Sequence, residues 1–197
     1  MAAGSTDQSN GALQSFLHTV RNSLVEREMV CMLEPDTFSW GDGSRKTIVD
    51  YADVNSVQLI GYAGSGGRQY QTSLKLKGGK VVKIRSHHYL GLGNFEDRTE
   101  TYAPFIRELC RRIARRAPDA RFVSGSTSLW IVWLVIALLT ALVAVLAVSA
   151  VYLPGAPVLP ALIVLIVAVP LIWLEARKGP ATTFDPADPP MALTGMQ

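Results

Sequence analysis

Hydrophobic and polar positions change rhythm along this chain, and each change predicts an element. Leu13, Phe16, Leu17, Val20 and Leu24 fall on one face of a helix, with His18, Arg21, Asn22 and Glu26 elsewhere. That spacing predicts an amphipathic helix over 11–28, after a small polar segment, 1–10, with too few apolar residues to order itself. From Val30 to Ser86 the period becomes two. Val30 to Leu33, Phe38 to Trp40, Lys46 to Tyr51, Val54 to Tyr62, Arg68 to Lys77 and Lys80 to Ser86 each read as strands. Glu-Pro-Asp, Gly-Asp-Gly, Gly-Ser-Gly-Gly and Gly-Gly separate them with turn chemistry. In the fifth, Tyr70, Thr72, Leu74 and Leu76 share one face, and Gln71, Ser73, Lys75 and Lys77 the other. This is the pattern of an antiparallel sheet with one solvated side.

The period then returns to helical. Tyr102, Phe105, Ile106, Leu109 and Ile113 form a stripe, with Arg107, Arg111 and Arg115 on another face. Asp97 followed by Glu100 has the form of an N-terminal cap, and Pro118 limits the far end. A domain over 29–117 and a linker over 118–128 follow from this order.

Beyond the linker periodicity is lost in apolar residues. From Leu129 to Leu174 there is no Asp, Glu, Lys, Arg or His. As helices, 129–153 would extend about 37 Å and 158–174 about 26 Å, against a hydrocarbon core of about 30 Å. Pro154-Gly155-Ala156-Pro157 punctuates the two, so the expectation is a transmembrane helical hairpin. The short second segment with its Pro170 leaves a re-entrant hairpin as the alternative. The last segment, 175–197, is rich in proline and predicted to be a disordered cytoplasmic tail, in which Phe184 is either a docking point or idle.

Charge adds orientation. The net charge is only +3, which argues against a dedicated nucleic-acid binder. Its distribution is uneven: Arg111, Arg112, Arg115, Arg116 and Arg121 precede the first apolar segment, and Arg177 and Lys178 follow the second. The positive-inside rule then puts both flanks in the cytoplasm, in a multi-pass membrane protein with cytoplasmic termini. Trp130, Trp133 and Trp173 are expected near the interface. Ala137 with Ala141, and Thr140 with Ala144, offer small residues at the spacing that lets helices approach in lipid. The spans lack the ionisable groups an ion path needs.

The segment LEPDTFSWGDGSRKTIVDYADVNSVQLIGY, with Tyr51, Asp53 and Val54 opening a strand after a glycine turn, resembles the bacterial pleckstrin-homology-like domains. The resemblance covers about residues 30–116. It implies an α+β fold, a bent antiparallel sheet or partial barrel capped by a C-terminal helix, here followed by a transmembrane α-hairpin. The family joins such domains to membrane helices and is mostly uncharacterised, so it implies an architecture rather than an activity.

Catalytic chemistry is not visible. Asp50 and Asp53 read as turn caps. His87 and His88 would point apart in a strand and share no metal, so no metal and no cofactor are expected. The glycines of GYAGSGGRQY join strands and do not open a phosphate-binding helix. Cys31 and Cys110 read as small core residues. The eukaryotic phosphoinositide pattern is absent, because Glu34, Asp36 and Asp42 occupy its region. Basic residues at Lys75, Lys77, Lys80, Lys83 and Arg85 instead suggest contact with an anionic leaflet, with Lys80, Lys83 and Arg85 as possible headgroup contacts. The expected function is a non-enzymatic scaffold or accessory subunit that associates with itself or a larger membrane complex. The alternatives are a sensor of anionic headgroups and a homo-oligomeric pore.

Overall fold

The computed structural model describes residues 16–64, 67–150 and 180–190, together with 166, 169, 170, 172, 173 and 194. The chain divides into two units, one holding the residues up to Ser124 and from Thr182 onward, the other holding 125–181. The first is α+β. Strands β1 (Leu17–Val20), β2 (Met29–Leu33), β3 (Thr37–Gly41) and β4 (Lys46–Asp50) form a four-stranded antiparallel meander in chain order. A 3-10 turn, Tyr51–Asp53, leads to β5 (Val54–Gly64), β6 (Gly67–Leu76) and β7 (Val81–Arg85), then to the hairpin β8 (His87–Gly91) and β9 (Asn94–Asp97). Helix α1 (Thr99–Arg116) and β10 (Arg121–Ser124) follow, and β11 (Thr182–Thr183) returns to the same unit. The second sheet has the order β11-β10-β5-β6-β7, with β10 parallel to β5 and every other pair antiparallel.

The six strands expected between Val30 and Ser86 are present within a residue or two of their expected bounds. Alternation fills the core from both sheets: Cys31, Leu33 and Phe38 from the first, and Val57, Leu59, Leu74, Val82 and Ile84 from the second. The stripe Tyr102, Phe105, Ile106, Leu109 and Ile113 of α1 is fully buried against them. Asp97 does work at the start of α1, but its Oδ1 accepts from Thr99 N at 2.9 Å, an Asx-type turn, and Arg98 occupies the cap position without a side-chain bond. Inside, the Tyr102 and Thr72 hydroxyls meet at 2.7 Å. Tyr102→Phe keeps the ring but orphans the Thr72 hydroxyl, so it is expected to lower stability by about 1 kcal/mol in urea unfolding.

Two expectations are corrected. The described part of 11–28 is not a helix, because Leu17–Val20 forms β1, paired with β2 in the register His18↔Cys31 and Val20↔Met29. The helical spacing of apolar residues is outweighed by cross-strand pairing, which buries His18 and Val20 and leaves Leu17 outward. Residues 11–15 lie outside the described residues. The tail is also not wholly disordered. Thr182 and Thr183 pair with Ser124 and Val123, the Phe184 N–H donates to the Phe122 carbonyl at 3.1 Å, and the two phenyl rings meet edge to face at 5.8 Å. Phe184 thus docks on its own domain.

His18 joins the two sheets. Its Nε2 donates to the Arg85 carbonyl on the outer edge of β7 at 2.9 Å, while Nδ1 lies 3.0 Å from the Thr101 hydroxyl of α1. A side chain thereby does what a ladder hydrogen bond would do where β1 and β7 meet.

In the second unit, α2 (Thr127–Ala150) carries no charge. Ile131, Val132, Leu134, Val135, Leu138, Leu139 and Leu142 are all exposed, whereas Trp130, Trp133, Ala137 and Thr140, at one-face helical spacing, are half-buried. Its side chains are described without interruption only over 130–143. Among the described residues, no helix is long and apolar enough to cross a membrane. Most of the second expected span, 158–174, lies outside the described residues.

Candidate functional site: the cationic face of the second sheet

The inward residues Val57, Leu59, Thr72, Leu74, Val82, Ile84 and Phe122 fix which side of the second sheet faces out. Registry then builds the outer face row by row. Arg121 lies opposite Ser56, Ser56 opposite Lys75, and Lys75 opposite Val81. Val123, Gln58, Ser73 and Lys83 form the next row, and Gln71 pairs with Arg85 beyond it. Strands β5, β6, β7, β10 and β11 contain no Asp or Glu. The face is therefore rich in amides and hydroxyls, and its strands carry positive charge with no acidic residue among them. Such a surface attracts anions by its field rather than by a pocket.

The expected contact residues divide. Lys75, Lys83 and Arg121 project from this face, exposed. Arg85 is taken up locally: its Nε donates to Gln71 Oε1 at 3.2 Å and its Nη1 to the Asn22 carbonyl at 2.9 Å. Lys80 sits with its Nζ 4.9 Å from the centre of the Trp40 ring, a cation–π contact.

The arginines of α1 divide in the same way. Arg112 is nearly enclosed: its Nε donates to Glu108 Oε1 at 2.8 Å, its Nη1 donates to the Glu34 carbonyl at 2.6 Å, and its guanidinium lies 4.8 Å over the Phe16 ring. Arg116 lies 3.7 Å from Asp36 and 3.7 Å from Asp50. Both bind the helix to the first sheet. Arg115 is exposed, and Arg111 is too, at 4.0 Å from Glu108.

Of the α2 residues, Trp130 and Trp133 are half-buried, as are Ala137 and Thr140, while Ala141 is exposed. The Thr140 hydroxyl donates to the Ile136 carbonyl at 2.8 Å, so the helix satisfies it internally. The Ala144 side chain, Arg177 and Lys178 lie outside the described residues. Trp173 is exposed.

Burial pushes the Cys31 and Cys110 thiols up to about 12, far from thiolate reactivity. His87 and His88 are both buried, with His87 Nδ1 2.9 Å from the Ser86 hydroxyl and His88 Nδ1 3.8 Å from Glu28. Burial, with Arg98 nearby, lowers the His88 pKa. Among the described residues no group of three or more His, Cys, Asp or Glu is placed to hold a metal ion. Asp50 is a turn cap, accepting from Ala52 N at 2.8 Å. A groove of about 410 Å3 on the first sheet is lined by Val30, Met32, Ser39, Trp40, Ser44 and Lys46.

Comparison with known proteins finds no matching family model, no matching curated protein and no matching solved structure.

Proposed function

We propose that the protein is a membrane-anchored, non-enzymatic scaffold or accessory subunit, built from a pleckstrin-homology-like domain interrupted near its end by a two-helix transmembrane hairpin. One observation carries this reading. Ser124, where the chain leaves the domain, is paired with Thr182, where it returns, and the Ser124 and Thr182 hydroxyls meet at 2.8 Å. The intervening segment contains the uncharged run Leu129 to Leu174. An excursion whose two ends are hydrogen-bonded together must start and finish on one side of a bilayer, so it crosses an even number of times. The first crossing is proposed from the sequence: 129–153 holds no Asp, Glu, Lys, Arg or His, and as a helix it would extend about 37 Å, while the side chains of α2 are described without interruption only over 130–143. The flanking arginines favour the cytoplasmic face of an inner membrane.

Only Gly125 and Ser126 separate β10 from α2, so the acid-free face is tethered within a few residues of the lipid. Each cation near an anionic leaflet is worth about 1 kcal/mol, and here Lys75, Lys83 and Arg121 stand free of acidic neighbours on their own strands. Arg111 and Arg115 add to them. Among the described residues the grooves lie on the first sheet and beside the start of α1 rather than on this face, which supports attraction to anionic lipid in general over a sensor of one species.

The first test is the mass of the particle extracted in mild detergent, with its co-purifying proteins identified. A stoichiometric partner or a closed oligomer is expected, and a lone monomer with catalytic activity would overturn the reading. The lipid part has its own test. In nanodiscs of anionic lipid, β6 and β7 amides should exchange more slowly than in zwitterionic lipid, and the K75E/K83E variant should lose the difference. Equal exchange of the unsubstituted protein in both lipids would remove the leaflet contact.

A further inference from the structure

Strand β4 ends the first sheet, and among the described residues no other strand pairs with its outer side. We propose that this edge is a two-fold dimer contact, in which β4 pairs antiparallel with β4 of a second copy about an axis at Ile48. The inference gives the self-association proposed above a surface, and needs the membrane only as the setting of the test.

Three features of the strand point to a second copy of itself. The first is hydrogen-bond phase. Tyr51 N donates to the Asp36 carbonyl, so by antiparallel alternation the pairs Phe38–Val49 and Trp40–Thr47 exchange hydrogen bonds within the sheet. The backbone groups of Lys46, Ile48 and Asp50 therefore point away from β3. An axis through Ile48 sets Lys46 against Asp50 of the second copy, Ile48 against Ile48, and Asp50 against Lys46. Every outward group then meets an outward group.

The second feature is charge. Read along its length, Lys-Thr-Ile-Val-Asp carries a cation at one end and an anion at the other. Antiparallel self-pairing opposes unlike charges at both ends, whereas parallel pairing opposes like charges. Lys46 already reaches Glu34 at 2.9 Å, and Asp50 Oδ2 lies 3.7 Å from Arg116, but both side chains remain substantially exposed and can be shared. Isologous contacts demand this kind of self-complementarity.

The third feature is the outward face. Ile48 is 56% exposed, and registry continues from it through Ser39 and Met32 to Leu17 in one cross-strand row. Joining two copies at β4 makes that row continuous through the axis. It places two Ile48 side chains side by side at the point where each is most open. It also removes an unprotected strand edge, which proteins otherwise have to guard against aggregation.

The test uses the full chain in native membranes. Ile48→Cys places a thiol on the axis, where paired strands hold Cα atoms about 5.5 Å apart, inside the range of about 4.4–6.8 Å that a disulfide spans. Cys31 and Cys110 are fully buried and contribute little background. Mild oxidation is expected to give a covalent dimer at least five-fold more efficiently, by the order-of-magnitude contrast between paired and colliding thiols, than Leu92→Cys, whose site is 98% exposed. In parallel, Ile48→Pro removes an N–H that faces solvent in the monomer, a substitution an edge strand tolerates, and should halve the particle mass in detergent. Cross-linking no better than at Leu92, or an unchanged mass for the proline variant, overturns the edge. If an oligomer persists while both edge tests fail, the contact lies elsewhere and the scaffold reading stands without it.

Discussion

Acidification from pH 7 to pH 4 is expected to cost the folded domain about 3 kcal/mol through His18 alone. The imidazole is 1% exposed and packed between Tyr102 and Phe105, with ring centres at 5.7 and 5.8 Å. Burial lowers its pKa from 6.5 to about 4, with Arg98 and His88 acting in the same direction and the hydrogen bond to the Arg85 carbonyl acting against them. The unfolded chain therefore binds a proton between pH 6.5 and 4 that the folded chain refuses. Stability is full above pH 6.5, declines as pH falls toward 4, and loses nothing further from this group below that. His88, also lowered, contributes with the same sign. Glu34 and Asp42 are held below the ordinary carboxylate range, Glu34 by its hydrogen bonds to Lys46 and Thr37 and Asp42 by those from Ser44, so their losses come later, in stronger acid. The window from pH 6.5 to 5 consequently isolates the histidines. Urea midpoints of the detergent-solubilised chain, followed by β-sheet circular dichroism, should fall across that window, and His18→Gln should flatten most of the slope while lowering the plateau. A midpoint constant from pH 7 to 5 would sink this account.

That histidine also marks where sequence reasoning stops. Strands from β2 to β7 were legible because each carries its own alternation and is bounded by residues that can turn the chain, such as Gly43 and Gly79 at φ of 84° and 82°. The buried stripe of α1 was legible for the same local reason. Strand β1 was not, because Phe16, Leu17, Val20 and Leu24 satisfy a helical period as well as a strand permits, and only the partner β2 decides between them. Likewise Thr182-Thr183 has no strand signal of its own. It is ordered by the edge of β10, far away in sequence, and by the Phe122 ring. The cationic face was half legible: the lysines of the β6–β7 hairpin were visible, but the contribution of Arg121 required knowing that β10 joins β5 in parallel.

The arginine run shows the same limit with a larger consequence. Replacing Arg112 by alanine is expected to destabilise the domain by about 2–3 kcal/mol, whereas replacing Arg115 should stay within about 0.5 kcal/mol. Three residues apart in sequence, they do different things because α1 turns about 100° per residue and only one of them faces the first sheet. The Arg112 side chain is 15% exposed, and its removal takes the 2.8 Å donor from Glu108, leaves the Glu34 carbonyl with the Tyr51 hydroxyl alone, and uncovers the Phe16 ring. Charged hydrogen bonds of this kind are worth about 1.5–3 kcal/mol, and the ring contact adds about 0.5–1 kcal/mol. Arg112→Lys should recover little, since an ammonium cannot serve Glu108 and a carbonyl in the fixed fork of a guanidinium. Equal urea midpoints for the two alanine variants would refute this division. If the division holds, Arg111, Arg115 and Arg121 are the residues available to the proposed leaflet contact, and Arg112 and Arg116 hold the helix that carries two of them. A variant neutralising all five would also weaken the domain through Arg112 and Arg116, so the proposed leaflet contact has to be tested by removing charge one residue at a time.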